Sequence, residues 1–288
     1  MSTTGERLSE AVRAATGKAP RRANPLHGGC IAEVLKIELE GGGAVVAKRA
    51  PAAEAGGLAT EAWMLRWLAA RTELPVPAVL HEAEGLLLID YVETAGSLNA
   101  AAEAHAAELL AALHAHSTEA FGFERDTVIG PLDQPNPWTQ SWRDFFRDQR
   151  LLHFGRLAHE RGRLPAATLA QLESFCARLD RYIAPDVRPA LIHGDVWGGN
   201  VLTRGGRIAA FIDPAIHYAD PEIELAFSTL FGTFGEAFFA RYAALRPLDP
   251  GFFDARRDIY NLYPLLVHTA LFGGHYADSV ARTLERYG

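Results

Sequence analysis

The sequence has few of the residues that mark disulfide-rich, membrane-spanning or nucleic-acid-binding proteins. Its 288 residues include two cysteines, Cys30 and Cys176, which are too few for a disulfide framework. No apolar run approaches the roughly 20 residues that a membrane span needs. The first ten residues also lack an apolar signal-peptide core, so we expect a cytosolic protein with no membrane partner. The net charge is −7 and no basic run exceeds Arg21-Arg22, so we expect no nucleic-acid partner.

Several common cofactor motifs are missing as well. The sequence contains no G-x-x-x-x-G-K-[ST] loop, no H-E-x-x-H and no paired C-x-x-C. His114 and His116 lie two apart on a predicted helix and so face different directions, which makes them a poor metal pair. With 49% hydrophobic and 22% charged residues, the composition is that of a globular protein long enough for two lobes.

One stretch carries most of the chemical information. His193-Gly194-Asp195 follows an apolar strand, and Asn200 comes shortly after it. Asp195 and Asn200 are spaced like the catalytic Asp and the metal-binding Asn of the kinase pattern H-R-D-x-x-x-x-N, with Gly194 in place of Arg. Asp213 ends the next apolar strand, where that arrangement needs a second metal-binding carboxylate. Two ordinary strands that end in Asp and Asn turns are the alternative, which the agreement of all three positions disfavours.

These residue types suit phosphoryl transfer, which depends on positioning and charge compensation. Asp195 is predicted to orient the acceptor hydroxyl and to accept its proton, because a carboxylate is ionised at neutral pH. Asn200 and Asp213 offer hard oxygen donors, which suit a Mg²⁺ ion that bridges nucleotide phosphates. His193 is expected to hold the loop by a hydrogen bond rather than to act as a second base.

The N-terminal part of the chain has its elements in kinase order. Gly28-Gly29 precede an alternating strand over 31–39, and Gly41-Gly42-Gly43 turn the chain back into a second strand over 44–48. That second strand ends in Lys48. The pattern predicts a glycine-rich loop followed by a β-hairpin with a lysine on its returning strand.

A helix over 58–70 follows and carries Glu61 near its start. Glu61 is the expected partner that holds Lys48 against the phosphates. The alternative is that Glu61 only complements the helix dipole. A later strand leads into the position of a kinase hinge, whose main chain pairs with adenine, at Asp90, Tyr91 and Val92.

The remaining predicted elements define the fold class. They are a helix over 1–20, a polar bend around Pro20 and Pro25, strands over 78–81 and 86–92, a helix over 100–116, a loop over 121–142, and helices over 142–160, 166–183, 222–229, 235–244 and 252–282. The composition changes near 93–97. We therefore predict an α+β, two-lobed protein-kinase-like fold. Its small N-terminal β-sheet lobe with one key helix, 1–93, binds nucleotide, and its larger, mainly helical C-terminal lobe, 94–288, holds the catalytic and substrate-binding residues.

Three further features go beyond the general kinase pattern. Trp197 lies between Asp195 and Asn200, Pro214-Ala215 follow Asp213, and Ile129-Gly130-Pro131-Leu132-Asp133-Gln134-Pro135-Asn136 precede the catalytic stretch. They are similar to the H-G-D-x-W-x-G-N, D-P-A and I-G-x-x-x-Q-x-N motifs of the fructosamine kinases, also called ketosamine-3-kinases. That family belongs to the protein-kinase-like and aminoglycoside-phosphotransferase-like superfamily. The resemblance runs from about residue 24 to the C-terminus.

The resemblance implies an ATP-dependent kinase that phosphorylates the 3-hydroxyl of ketosamines, such as ribulosamine and fructosamine adducts, and so promotes deglycation. It implies ATP and Mg²⁺ as cofactors. The implied partners are small-molecule ketosamines or glycated proteins, with the chain a monomer or a homodimer. Carried over residue by residue, the resemblance makes Asp195 the base and Asn200 and Asp213 the metal ligands. It makes Lys48 and Glu61 nucleotide-binding residues. It also places the hinge at Asp90, Tyr91 and Val92 and the start of the phosphate loop at Gly28 and Gly29.

The sugar contacts are predicted more weakly. Trp197, His217, Tyr218 and His268 are candidates, and packing explains each of them as well. The chain also departs from the family at two positions. Asp90 stands where Glu is usual, and Glu224 replaces the Asp that commonly braces the catalytic loop, so a longer or weaker brace is expected.

Two other functions stay open from the sequence. Another small-molecule kinase, of the aminoglycoside or choline kinase type, would share the general pattern but not the three family features. A pseudokinase acting as a binding module would tolerate the loss of Lys48, Asp195, Asn200 or Asp213, all of which are present. The sequence also does not determine which sugar is phosphorylated, or whether the amine that carries it is free or part of a protein.

Overall fold

The computed structural model describes residues 4–26, 33–51 and 55–288, and the statements below concern these residues. They divide into two compact units. The first comprises the described residues up to Ala106 together with Val128–Asp133 and Gly199–Ala215, and the second comprises Ala107–Thr127, Gln134–Gly198 and Ile216–Gly288. The segment with Asn200 and Asp213 thus belongs to the first unit, although it lies late in the chain.

The first unit is built on a five-stranded sheet. Its strands are β1 (Pro20–Pro25), β2 (Glu33–Leu39), β3 (Ala44–Arg49), β4 (Val79–Ala83) and β5 (Leu86–Asp90). Across the sheet they run in the order β1-β2-β3-β5-β4, and every neighbouring pair is antiparallel. Gly41, Gly42 and Gly43 join β2 to β3 with φ angles of 74°, 94° and 91°, which only glycine adopts without strain.

The first strand is a correction to the sequence analysis. The stretch around Pro20 and Pro25 was predicted as a bend, but it forms β1 and pairs with β2. Proline lacks an N–H, and an edge strand needs hydrogen bonds on one side only. Both prolines lie at the ends of this edge strand, so the pairing is retained.

One helix packs on each face of the sheet. On one face, Val12 of α1 (Thr4–Thr16) contacts the side-chain cluster of Leu35 and Ala47. On the other, Ala62 of α2 (Ala55–Arg71) packs in the cluster of Val46. Because side chains alternate along a strand, Lys48 points to the same face as Val46. The alternation therefore brings Lys48 to the face that α2 covers.

The other strands are short. They are β6 (Thr127–Ile129), β7 (Leu132–Gln134), β8 (Ala190–Ile192), β9 (Val201–Arg204), β10 (Arg207–Phe211) and β11 (His217–Ala219). They form three two-stranded sheets, β6-β7, β9-β10 and β8-β11, and the last two are antiparallel. The predicted loop over 121–142 was therefore wrong where it contains β6 and β7.

The second unit is mainly helical. The helices after α2 are α3 (Ala100–Leu113), α4 (Trp142–Phe145), α5 (His153–Glu160), α6 (Ala166–Cys176), α7 (Glu222–Leu230), α8 (Glu236–Leu245), α9 (Arg257–Tyr260), α10 (Leu262–Phe272) and α11 (His275–Tyr287). Phe146–Leu152 and Phe252–Arg256 are π-helical, and Leu179–Arg181 forms a 3₁₀ turn.

Two predicted helices are shorter than expected. The helix predicted over 166–183 ends at Cys176, and the one predicted over 252–282 is interrupted. The break between α10 and α11 falls at Gly273 and Gly274, whose positive φ angles of 66° and 60° do not continue a helix and favour glycine. Across the described ranges, no helix combines the length and the apolar character that crossing a membrane requires.

Candidate active site

An ion triad in the first unit joins the buried Lys48 to Glu61 and to the partly exposed Asp213. The ammonium of Lys48 donates hydrogen bonds to Glu61 Oε1, at 2.6 Å, and to Asp213 Oδ1. β3 supplies Lys48, α2 supplies Glu61, and Asp213 follows β10. The structure therefore brings together three of the residues that the sequence analysis assigned to nucleotide and metal.

The charges in the triad are strongly coupled. Burial lowers the pKa of Lys48, but the charges of Asp213 and Glu61 outweigh burial and raise that pKa above its ordinary value. Burial also raises the pKa of Glu61, and the Asp213 carboxylate adds to this effect against the opposing charge of Lys48. Two carboxylates share one ammonium, so the triad carries an excess of negative charge when all three groups are ionised. Such a site suits an additional cation.

The backbone at Asp213 is unusual. With φ = 55°, it is the only residue other than glycine with positive φ among those the structure describes. A non-glycine residue in this region is uncommon, and such conformations cluster at functional sites. Nearby, the Ile212 N–H donates to the Asn200 carbonyl at 3.0 Å, which ties the start of β9 to the segment that carries Asp213. Asn200 itself is buried.

A cavity lies against the predicted hinge. Its volume is about 690 Å³, within the range of ligand pockets in proteins. Its walls are the ends of β2 and β5, the start of β3 and the β9-β10 hairpin, through Lys36, Glu38, Gly43, Ala44, Asp90, Tyr91, Val92, Glu93, Arg204 and Ala209. The Lys36 ammonium lies 3.9 Å from the centre of the Tyr91 ring. All three predicted hinge residues therefore line this cavity. Gly28 and Gly29 lie outside the described residues.

The loop that carries Asp195 lies in the second unit and is held by its backbone. Gly194, with φ = 87°, donates its N–H to Glu224 Oε1 at 2.7 Å. A side chain at position 194 would be strained at this φ, which explains the glycine. The Asp195 N–H donates to His193 Nδ1 at 3.3 Å, the loop-holding contact expected of His193.

Glu224 connects this loop to a buried polar cluster. Its Oε2 lies 2.8 Å from His114 Nε2, and His114 Nδ1 lies 2.7 Å from the Tyr242 hydroxyl. Burial alone raises the pKa of Glu224, but the hydrogen bonds from His114 and from the Gly194 amide contribute to holding it below its ordinary value. The brace to the loop is a normal hydrogen bond, so the expected lengthening at Glu224 is not observed.

His114 could not be recognised from the sequence as a partner of this brace. It was considered there only as half of a poor metal pair with His116, and 110 residues separate it from Glu224. A single histidine on an alanine-rich helix gives no signal of a contact so distant in sequence. The only signal was Glu224 itself, in the position of a known brace.

The side chains of Gln134 and Asn136, in the segment that resembles the family motif, form hydrogen bonds with other buried side chains. Both side-chain amides donate to Thr127 Oγ1, at 2.7 and 2.8 Å. Asn136 Oδ1 in turn accepts from the guanidinium of Arg150 at 2.6 Å, and Gln134 Oε1 accepts from the Tyr263 hydroxyl. All these groups are buried, and burial lowers the pKa of Arg150 to about 10. The motif therefore fixes a buried polar network within the second unit.

The four weaker sugar candidates differ in exposure. Trp197 is 36% exposed and its ring meets that of Phe231. His268 is half-buried among aromatic rings. His217 is fully buried beside Phe145, and Tyr218 packs between Phe123 and Trp138. The last two have packing contacts, and their role toward a sugar stays a prediction.

The sheet with its buried Lys-Glu pair, the His-Gly-Asp loop and the Asp after the next hairpin define a protein-kinase-like fold. A thermostable mutant of an aminoglycoside phosphotransferase has a similar structure, with a TM-score of 0.66 and 20% identity over 95% of this chain and 98% of that one. A putative fructosamine-3-kinase from Thermobifida fusca is more similar, with a TM-score of 0.83 and 31% identity over 97% of this chain and 98% of that one.

Comparison of sequences identifies the family. The family model described as fructosamine kinase matches residues 4–287. A probable ketoamine kinase of Enterococcus faecium is 33% identical over 91% of this chain and 94% of that protein. One of Synechocystis sp. is 41% identical, and the match spans 62% of this chain and 59% of that relative's length. The chain belongs to the fructosamine kinase family, which confirms the resemblance seen in its motifs.

Proposed function

We propose that this protein is an ATP-dependent phosphotransferase that phosphorylates the 3-hydroxyl of ketosamines. Family membership supports the reaction class. The single observation that carries the proposal is the ion triad of Lys48, Glu61 and Asp213, the set of charges that a kinase uses to hold a nucleotide and its metal. Phosphorylation would destabilise the adduct, because the phosphate on C3 can leave as inorganic phosphate, and hydrolysis of the remaining imine would then free the amine and a deoxy sugar.

In this proposal, residues of the first unit bind the nucleotide. Lys48 would contact the phosphates, held in place by Glu61. Asp213 and Asn200 would hold Mg²⁺, and the excess negative charge of the triad fits that ion. When bound, Mg²⁺ neutralises charge on the transferred phosphoryl group. The hinge at Asp90–Val92 would pair with adenine through its main chain. Gly28 and Gly29 as the phosphate loop, and the lobe assignments 1–93 and 94–288, belong to the same proposal.

In this proposal, Asp195 acts on the acceptor hydroxyl. Its carboxylate would orient the 3-hydroxyl and take its proton as the new oxygen–phosphorus bond forms and the bond between the γ-phosphorus of ATP and the departing ADP breaks. Glu224 would keep the loop in place through its hydrogen bond with Gly194. Small-molecule ketosamines and glycated proteins are the proposed substrates, and the expected cytosolic location stays a prediction.

Consumption of Mg·ATP against a panel of acceptors tests this proposal. The panel contains ribuloselysine, fructoselysine, kanamycin and choline. We expect turnover with at least one of the two ketosamines and none with kanamycin or choline. Turnover with only kanamycin or choline would overturn the substrate assignment. Nucleotide binding without turnover on any acceptor would favour a binding protein instead.

A further inference from the structure

Arg150 in the second unit is a buried cation that has no ion-pair partner among the described residues. Its exposure is 0%, whereas an arginine is almost never fully buried unless it is paired. The guanidinium donates to the carbonyls of Pro135 and Gln149, at 2.8 and 3.0 Å, and to Asn136 Oδ1 at 2.6 Å. These three acceptors are neutral, and Nε has no hydrogen-bond partner within the part of the chain that the structure describes. The positive charge is therefore not neutralised where it is buried.

The surroundings of Arg150 hold its guanidinium in place. The guanidinium carbon lies 4.6 Å from the centre of the Phe145 ring and 5.5 Å from that of the Tyr263 ring, and aromatic faces attract such a cation. Arg150 also belongs to the π-helical segment Phe146–Leu152, a rare conformation that is frequent at functional sites. Because a buried charge opposes folding, apolar residues of similar volume often replace such groups without loss of stability. The presence of the arginine therefore points to a role beyond folding.

A short chain of contacts leads from Arg150 to the loop that carries Asp195. The Phe145 ring, which lies against the guanidinium, has its centre 5.9 Å from that of the His217 ring. His217 is the register partner of Ile192 in the antiparallel pair β8-β11. Ile192 ends β8, and Asp195 follows it by three residues. Arg150 is therefore separated from the start of this loop by the Phe145 and His217 rings.

The Tyr263 hydroxyl is affected by the charges of both Arg150 and Asp195. Burial raises the pKa of Tyr263, the positive charge of Arg150 lowers that pKa, and the negative charge of Asp195 raises it. The two opposite charges thus act on the same buried group. Charges that are shielded from water attract each other more strongly than charges at the surface, because little solvent screens them. Arg150 therefore provides a positive potential in the region of the Asp195 carboxylate.

Phosphoryl transfer makes use of such a potential. A carboxylate base has to stay ionised while a negatively charged phosphoryl group approaches the acceptor oxygen, and a like charge disfavours its ionised form. A positive charge nearby offsets that effect. We propose that Arg150 is a positioning residue whose charge favours the ionised Asp195 carboxylate during phosphoryl transfer. This inference rests on the proposed kinase activity, and it requires no contact between Arg150 and the substrate.

Two substitutions at position 150 separate the charge from the packing. Arg150→Lys keeps the charge, and Arg150→Met removes it together with the hydrogen bonds. With Mg·ATP and ribuloselysine, we expect kcat to fall about tenfold in the methionine variant and at most about threefold in the lysine variant. Both losses are smaller than the 100-fold or more expected for a donor that touches the reacting atoms, and KM for ATP should stay within about twofold.

Stability should rank the same two variants in the opposite order. Urea unfolding is expected to show Arg150→Met at least as stable as Arg150→Lys, because methionine leaves no charge buried without a partner. A merely structural arginine would instead give activities that follow the stabilities.

Asn136→Asp tests the charge with Arg150 still in place. The new carboxylate can accept from the guanidinium as Asn136 does, but it neutralises the cation, so we expect kcat to fall about tenfold. This variant also decides the question if Arg150→Met does not fold. Arg143→Met is the matched control, because Arg143 of α4 donates to the Ile183 carbonyl at 2.7 Å and its loss should leave kcat within about twofold.

The outcomes separate this inference from the proposed function. Equal kcat values in Arg150→Lys and Arg150→Met, or an unchanged kcat in Asn136→Asp, would overturn the inference while leaving the kinase activity standing. A loss in Arg143→Met as large as that in Arg150→Met would overturn it as well. Absence of turnover in the unsubstituted protein would instead overturn the proposed function, and this inference with it.

Discussion

The two units hold their key carboxylates in different ways. In the first, Asp213 and Glu61 share the ammonium of Lys48, and side-chain charge determines the arrangement. In the second, the loop with Asp195 is fixed through a backbone N–H at Gly194 and the buried Glu224 behind it. The first arrangement is electrostatic and the second is geometric. Each suits its proposed task, because a nucleotide needs charge compensation whereas an acceptor hydroxyl needs placement.

This difference predicts how each region responds to substitution. The Asp213 side chain is 38% exposed, whereas the side chains of Glu224 and His114 are fully buried. A partly exposed charge is relieved by water when its partner is lost, but a buried one is not. Substitutions in the triad should therefore affect activity first, and substitutions behind the Asp195 loop should affect stability first.

The largest stability effect is expected at Glu224. Glu224→Ala leaves the Gly194 N–H and His114 without their shared partner, and breaking a buried charged pair costs about 3–5 kcal/mol. Urea unfolding monitored by circular dichroism measures this loss.

Glu224→Gln is the matched control, because its amide can accept from the Gly194 N–H and donate to His114. We expect it to cost about 1 kcal/mol, the net value of a hydrogen bond. Equal losses in the alanine and glutamine variants would show that the hydrogen bonds at Glu224 do not hold the loop.

Substitution of Lys48 is expected to lower activity rather than stability, and by a smaller free energy. Lys48→Met removes the ammonium and leaves Glu61 and Asp213 as like charges, so we expect kcat/KM for ATP to fall about 100-fold, or about 2.7 kcal/mol. Steady-state kinetics with a ketosamine acceptor measure it.

Arg49→Met is the control for Lys48. Arg49 is the next residue of β3 and forms an exposed ion pair with Glu33, which contributes about 0–1 kcal/mol. Its loss should leave kcat/KM for ATP within about twofold of the unsubstituted protein. A comparable drop in both variants would show that the ion triad has no special role.

The smallest effect is a pH dependence at Asp220. Burial and the charge of Glu222 raise the pKa of Asp220 to about 7, although Tyr260 donates a hydrogen bond to it. An acid whose pKa is higher in the folded chain favours folding at low pH, and this contribution is lost as the pH rises from about 3.8 through about 7.

Asp220→Asn removes that titration. The unfolding free energy of the variant, relative to that of the unsubstituted protein, should therefore be higher at pH 8 than at pH 5 by about 2.5 kcal/mol. A difference between the two proteins that does not vary with pH would contradict a raised pKa at Asp220.

The sequence predicted much of this arrangement because local patterns carry it. Alternation along β3 and the helical stripe of α2 suffice to direct Lys48 and Glu61 toward each other, and the spacing of Asp195, Asn200 and Asp213 is a local motif. The β1 edge strand was missed because its prolines resemble those of a bend. The contact between His114 and Glu224 was missed because only the tertiary fold brings distant residues together.

The most direct test of the proposed function is turnover of Mg·ATP with ribuloselysine by Asp195→Asn, beside nucleotide affinity measured by calorimetry. Asparagine keeps the size of the side chain but cannot accept the hydroxyl proton as a carboxylate does. We expect kcat to fall at least 100-fold while the dissociation constant for Mg·ATP changes less than about threefold. Turnover that survives in Asp195→Asn would contradict the assignment of Asp195 as the base that prepares the acceptor.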